Sequence, residues 1–223
     1  MGQLARLGYA AVSALSGDSL PHSLMETFLR DDRRSFDGVF VMSEARTNAV
    51  IANNRVSAEV DQQRTLIRRA FQVALKGMPG SSSERARWAT SIVAGLRAKR
   101  SRTKLPACED ITTADYADIV DGQRTRGHFV QLSPGELSSF ISFGGLRLHF
   151  EGTATLTSFP GSQEEFVILR LAPVLTDTFD FHDGTGTGWM DHVLFRMQKR
   201  GDAKPFSIEG RGTPFTESVT ASH

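Results

Sequence analysis

The chain has little cysteine, few tyrosine and tryptophan side chains, and no long apolar run. Its 223 residues include one cysteine, Cys108, which excludes an intramolecular disulfide and a cluster of thiolate metal ligands. No apolar window approaches about eighteen uninterrupted residues, so the sequence predicts no membrane-spanning helix. The formal net charge of +1 gives no indication of a nucleic-acid partner. We therefore expect a globular protein in which Cys108 is a buried or incidental thiol.

Two segments of the N-terminal half have competing interpretations. Residues 1–18 contain small residues and a short apolar run, as weak signal peptides do, but Arg6 and Gly8 interrupt the run. This favours a first short helix or strand, and synthesis in the cytoplasm without a clear signal peptide. The basic run at residues 97–104 is interpreted as a solvated helix end and linker. A contact with an anionic surface, such as lipid head groups or nucleic acid, is the alternative.

The spacing of apolar residues divides the chain into a mostly helical region, residues 1–110, and a β-rich region, residues 111–223. Helical spacing predicts helices at residues 19–29, 57–76, 84–99, 112–120 and 189–199. Alternating or continuous apolar residues predict strands at residues 38–42, 128–132, 140–143, 146–157 and 166–175. We expect an α+β fold in which N-terminal helices pack on a small, curved, barrel-like antiparallel sheet.

The highest density of chemically versatile side chains follows the most apolar predicted strand, between Thr176 and Gly188. Asp177, Asp180, His182 and Asp183 all lie in this segment. The end of a core strand is rigid while the loop after it is open to solvent, so this position suits chemistry. Turn and cap roles for the aspartates, and a surface role for His182, are the alternatives.

Several motifs recur in order near this segment. The sequence F-G-G-L-R-L-H-F-E-G-T-A-T-L-T-S begins at Phe143, an apolar strand follows, and D-T-F-D-F-H-D ends at Asp183. L-F-R and F-S-I come later in the chain. Together these motifs resemble the catalytic domain of colicin M and related bacteriocins, over roughly the last 80 residues. Phe179 stands where that family has a tyrosine, and Gly186 and Thr187 stand at the places of its His-Arg pair.

The resemblance implies an antibacterial toxin that hydrolyses the peptidoglycan precursor lipid II between the undecaprenyl chain and the pyrophosphate, using Mg²⁺. Asp177 and Asp180 match two acidic residues that the family needs. The implied place of action is the periplasm of a target bacterium, reached by secretion or delivery. Lipid II at a peripheral membrane surface is the implied partner, with an immunity protein as a candidate second partner and no nucleic acid.

Hydrolysis of a phosphate ester needs a positioned water, neutralised phosphoryl charge and a proton for the leaving group. Either Asp177 or Asp180 suits Mg²⁺, which keeps several waters and binds substrate phosphates, with the other aspartate as base. His182 suits an acid or a base near neutral pH, His192 is a further imidazole, and Arg196 is the candidate for holding the pyrophosphate. Two alternatives remain open: a non-catalytic binding protein with a colicin M fold, and a hydrolase of another phosphorylated substrate.

Overall fold

The computed structural model describes residues 2–16, 19–29, 38–77, 83–116, 119–120, 123–124, 126–132, 145–181 and 189–221. The helices in these ranges are α1 (Gly2–Ser16), α2 (Leu20–Phe28), α3 (Glu44–Ile51), α4 (Asn54–Lys76), α5 (Glu84–Thr103) and α6 (Trp189–Arg200). The strands are β1 (Val39–Met42), β2 (Ala107–Thr112), β3 (Ile119–Val120), β4 (Gln123–Arg124), β5 (His128–Gln131), β6 (Gly145–Ser158), β7 (Glu165–Phe179), β8 (Phe206–Arg211) and β9 (Phe215–Thr220). The predicted strand at residues 140–143 lies outside the described residues.

The chain forms two compact units, and each is assembled from three separated segments. Unit 1 consists of Met1–Arg55, Phe129–Arg147 and Leu175–Gly210. Unit 2 consists of Val56–His128, Leu148–Val174 and Arg211–His223. Both units therefore draw on the predicted helical region, residues 1–110, and on the predicted β-rich region, residues 111–223. That division along the sequence stays a prediction.

The α+β class is confirmed, but the predicted antiparallel, barrel-like sheet is wrong in two respects. Strand order is β1-β8-β7-β6-β2, with β5 also paired to β6 and β9 to β7. β1 runs parallel to β8, whereas β2 and β9 run antiparallel to β6 and β7, so the sheet is mixed. Among the described strands the pairing path ends at β1 and β2 and does not close. A parallel edge pair arises here because β1 and β8 are joined by a long stretch of chain instead of a hairpin.

Helices α4 and α5 show how local sequence sets the core of unit 2. In α4 the buried Val56, Val60, Ile67 and Phe71 recur at helical spacing, which places them on one face. The Ser83 side chain begins α5 by accepting a hydrogen bond from the Ala86 backbone N–H. T-shaped ring contacts then connect Phe71 to Trp88 at 5.5 Å and Trp88 to Tyr116 at 5.1 Å. The predicted helices at residues 57–76 and 84–99 are confirmed.

The helix predicted at residues 112–120 is wrong. A short 3-10 helix, Thr113–Tyr116, and the two-residue strand β3 occupy the described part of this range. Thr112 accepts a hydrogen bond from the Ala114 N–H, and the Thr113 hydroxyl accepts one from the Phe150 N–H at 2.7 Å. The local bond to Thr112 competes with the helical backbone pattern and favours a turn. The bond to Thr113 attaches this turn to strand β6.

Three further expectations concern Cys108, the N-terminal segment and membrane-spanning helices. Cys108 was expected to be a buried or an incidental thiol; it is exposed on β2, so the buried alternative is wrong. The N-terminal segment is helical, as α1. Among the described helices, none combines the length and apolar content needed to cross a bilayer.

Candidate active site

Strand β7 delivers the predicted acidic residues to the end of its buried part. Residues 171–175 are buried without interruption, and the exposure pattern then changes. Thr176 and Asp177 are half-buried, Thr178 is exposed, and Phe179 is buried again as the strand ends. The end of β7, with the residues after it, belongs to unit 1. Asp177 is therefore held by regular strand geometry although its side chain reaches the border of the core.

The carboxyl group of Asp177 is the most electrostatically perturbed group among those the structure describes. Its pKa is raised from 3.8 to about 7, chiefly by burial and to a smaller extent by the negative charge of Asp180. A hydrogen bond from the Thr178 backbone N–H and the positive charge of Arg147 act in the opposite direction. A carboxyl group with a pKa near neutrality binds and releases a proton at the pH where general acid-base catalysis operates.

The structure brings together only part of the predicted site. Asp180 is half-buried just beyond β7, and its charge acts on Asp177. His182 lies outside the described residues. Arg196 and His192 are exposed on α6, and neither is among the groups that shift the Asp177 pKa. Of the site residues predicted from the sequence, the two aspartates are therefore the ones that the described structure brings together.

Arg147 is a site residue that the sequence reasoning missed. It is half-buried on β6, between the buried Leu146 and Leu148, so strand alternation points it to the opposite face from these leucines. Its positive charge lowers the Asp177 pKa. The only sequence signal was a charged residue inside an apolar strand, and that signal does not identify the neighbouring strand. Arg147 supplies a guanidinium group that suits a phosphate oxygen.

Phe179, between the two aspartates, is a core residue. Its side chain is 4% exposed, and its ring centroid lies 5.3 Å from Phe206, 5.5 Å from Phe181, 5.7 Å from Phe28 and 6.4 Å from Tyr9. Such edge-to-face and offset contacts favour one ring arrangement. The aromatic cluster therefore fixes the backbone between Asp177 and Asp180. It also explains a phenylalanine where the resembling family has tyrosine, because a hydroxyl group here would enter packed rings.

The chain just after β7 is also attached to α6. The Phe181 backbone N–H donates to the Gln198 side-chain oxygen at 3.0 Å. This hydrogen bond satisfies a backbone donor beyond the end of the strand, and it fixes the backbone one residue after Asp180.

The two carboxylates fit a Mg²⁺ ion by the chemistry of their donors. Mg²⁺ is commonly held by one or two carboxylates and completes its shell with waters and substrate phosphates. Among the described residues no group of three or more His, Cys, Asp and Glu side chains converges on a common point. The pair Asp177 and Asp180 therefore suits a magnesium ion shared with a substrate, and it lacks the ligands of a closed structural site.

No family model, curated protein or solved structure matches this chain. The resemblance to colicin M therefore depends on the motifs in the sequence. The arrangement of Asp177, Asp180 and Arg147 at the end of β7 is an observation that does not depend on this resemblance.

A second polar group occurs in unit 2, around the glutamate of the E-G-T motif. His149 is 2% exposed, and its Nε2 donates to Glu151 Oε1 at 3.0 Å. Arg211 Nη1 contacts the other carboxylate oxygen, also at 3.0 Å. Glu151 and Arg211, with Asp110 and Asp115, line a cleft of about 410 Å³. Because both carboxylate oxygens of Glu151 already have a side-chain partner, we assign it a structural role in orienting His149 and Arg211.

Proposed function

We propose that this chain is a colicin M-like toxin domain that hydrolyses lipid II between the undecaprenyl chain and the pyrophosphate. One observation carries the proposal: Asp177 and Asp180 interact electrostatically at the rigid end of a core strand, with Arg147 as a nearby cation. The order of the sequence motifs supports the choice of substrate. Delivery to the periplasm of a target bacterium and recognition by an immunity protein rest on the same resemblance.

The two aspartates have different environments, which suggests different roles. Asp177, with a pKa near 7, takes the proton of the attacking water as the general base. Asp180 would hold Mg²⁺, which when bound supplies positive charge to the phosphoryl oxygens. Arg147 adds a guanidinium group for the same charge. The sequence-predicted Arg196 is exposed on α6 and is not among the groups that shift the Asp177 pKa. His182, predicted from the sequence as an acid or a base, would give a proton to the departing undecaprenyl oxygen.

The direct test is incubation of the purified protein with lipid II and Mg²⁺, with undecaprenol release followed by chromatography. We expect release by the wild type, and a loss of about a hundredfold or more in Asp177→Asn and Asp180→Asn. Asp202→Asn is the matched control, because Asp202 is an exposed aspartate of unit 1 outside the site. Loss of activity in all three variants would indicate a general charge effect and contradict the assignment.

A binding function is the second candidate, and the buried Phe179 favours it. The hydroxyl group that the resembling family has at this place is absent, and the surrounding rings make Phe179 a structural residue. A binding protein would retain lipid II in a vesicle co-sedimentation assay without releasing undecaprenol. Folded wild-type protein that neither cleaves nor retains lipid II, but hydrolyses another polyprenyl pyrophosphate, would indicate the third alternative, a different phosphorylated substrate.

A further inference from the structure

A second cleft of unit 2, of about 370 Å³, lies between α4 and the first turn of α5. One part of its lining is cationic or polar, and the other part is apolar. The polar part includes Arg69, Arg85 and His128, and the apolar part includes Leu66, Val73 and Tyr116. None of these residues belongs to the site at the end of β7, so the cleft raises a separate question of what it binds.

Arg85 is held in one orientation by the Gln63, His128 and Tyr116 side chains. Its Nη2 donates to the Gln63 side-chain oxygen at 2.8 Å and lies 3.2 Å from His128 Nε2. Because a guanidinium group has only donors, His128 presents the lone pair of Nε2 to it. The guanidinium carbon also lies 4.3 Å above the Tyr116 ring centroid. The Arg85 side chain is therefore positioned before any ligand arrives.

The charge of Arg85 lacks a counter-ion among the residues that the structure describes. No carboxylate in the described ranges makes an ion pair with it, and its buried Nε atom has no hydrogen-bond partner there. A half-buried cation without a carboxylate partner is costly to hold, and the cost falls when an anion binds. Arg69, which is exposed on the same cleft, adds a second positive charge.

The apolar wall limits what kind of anion fits. The half-buried Leu66 and Val73 of α4 offer surface to a non-polar group next to the two arginines, above the buried Tyr116. Pockets for small molecules commonly combine an apolar lining with a few polar groups that fix the orientation. Two guanidinium groups suit a dianionic phosphate better than a monoanionic carboxylate. We infer that this cleft binds a phosphate ester that carries a small apolar or aromatic group.

Glu84 also lines the cleft and works against anion binding. It lies in the first turn of α5, where its carboxylate interacts favourably with the helix dipole. Its charge therefore has a structural explanation and still opposes a phosphate group in the cleft. Neutralising it by Glu84→Gln is expected to tighten binding, which is an uncommon direction for a substitution in a binding site.

Isothermal titration calorimetry with phenyl phosphate tests the inference on the full chain. We expect saturable binding at one site, weaker binding of inorganic phosphate and of benzoate, and none of phenol. Absence of saturable phenyl phosphate binding would overturn the inference. Benzoate binding as tight as phenyl phosphate would overturn the assignment to phosphate. The lipid II assay is run in parallel, so that failure of either proposal is seen separately.

Substitutions then localise the site. Arg85→Lys keeps the charge but loses the planar fork, so we expect affinity to fall about tenfold. Arg69→Gln, at an exposed position that does not threaten folding, should weaken binding severalfold, and Glu84→Gln should strengthen it. Arg87→Gln is the control, because Arg87 is an exposed arginine of α5. Wild-type affinity in both Arg85→Lys and Arg69→Gln, or an equal loss in the control, would refute the site.

Discussion

Replacing Asp177 by asparagine tests the electrostatics of the candidate active site without any substrate. In the folded protein its pKa is raised from 3.8 to about 7, chiefly by burial. Below pH 3.8 the folded and unfolded chains both carry the proton, and the group costs nothing. Between pH 3.8 and 7 only the folded chain keeps it, so the free energy of unfolding falls as the pH rises. Above pH 7 the penalty is complete.

The pKa shift gives the size of the effect. A change of about three pKa units corresponds to about 4 kcal/mol, at about 1.4 kcal/mol for each unit. Water and local rearrangement around a half-buried carboxylate reduce this value, so we expect Asp177→Asn to gain about 1–3 kcal/mol at pH 8. At pH 5 the gain should shrink to about a third, because most of the penalty develops above that pH.

Urea denaturation at pH 5, 6, 7 and 8, in the presence of a chelator, measures the effect. Asp180→Asn should show a smaller pH-dependent gain, since the repulsion that it removes contributes less to the raised Asp177 pKa than burial does. Asp202→Asn should show no pH-dependent difference from the wild type. An Asp177→Asn variant that is no more stable than the wild type at pH 8, or equally stabilised at pH 5 and 8, would refute the reasoning.

Three further substitutions test other parts of the structure. Arg147→Gln removes a charge that lowers the Asp177 pKa, so the acidic limb of the lipid II pH profile should move to higher pH and the rate should fall about tenfold. An unchanged profile would count against Arg147. Phe179→Tyr should lower the free energy of unfolding in urea by about 1–3 kcal/mol, because its hydroxyl group enters packed rings; an unchanged value would mean that the cluster has room for it. Gly152→Ala should lower the thermal midpoint, since an added Cβ would overlap the Arg170 carbonyl oxygen, with a cost of about 1–3 kcal/mol. Wild-type stability would contradict this close approach.

Strong periodicity in the sequence was sufficient to predict the long elements. The helices predicted from the spacing in α4 and α5, and the strands predicted from the apolar runs in β6 and β7, were confirmed. In each of these elements most of the buried residues belong to the apolar pattern of the sequence. The helix predicted at residues 112–120 failed where Thr112 forms a local hydrogen bond and Thr113 forms one to Phe150, far along the chain. The parallel pairing of β1 with β8 was missed because partners so far apart in sequence leave no local pattern.

The candidate site, like the fold, was predictable from the sequence only in part. The density of acidic residues after an apolar strand identified Asp177 and Asp180 from the sequence alone. Arg147 was missed because its role depends on which strand neighbours β7, and the sheet order decides that. The raised pKa of Asp177 could not be predicted from the sequence, because its largest cause is burial in the folded protein. In an exposed turn this cause would be absent.

The aromatic cluster around Phe179 has a consequence for how the chain is made. Phe28 and Phe206 contact the same ring, yet they lie roughly 180 residues apart in the sequence. At about 5–20 residues per second, a ribosome needs on the order of ten to thirty seconds to synthesise the chain between them. During that interval the apolar face of α2 can pack only against elements made earlier, such as α1, so its final ring contacts form after β8 has been synthesised.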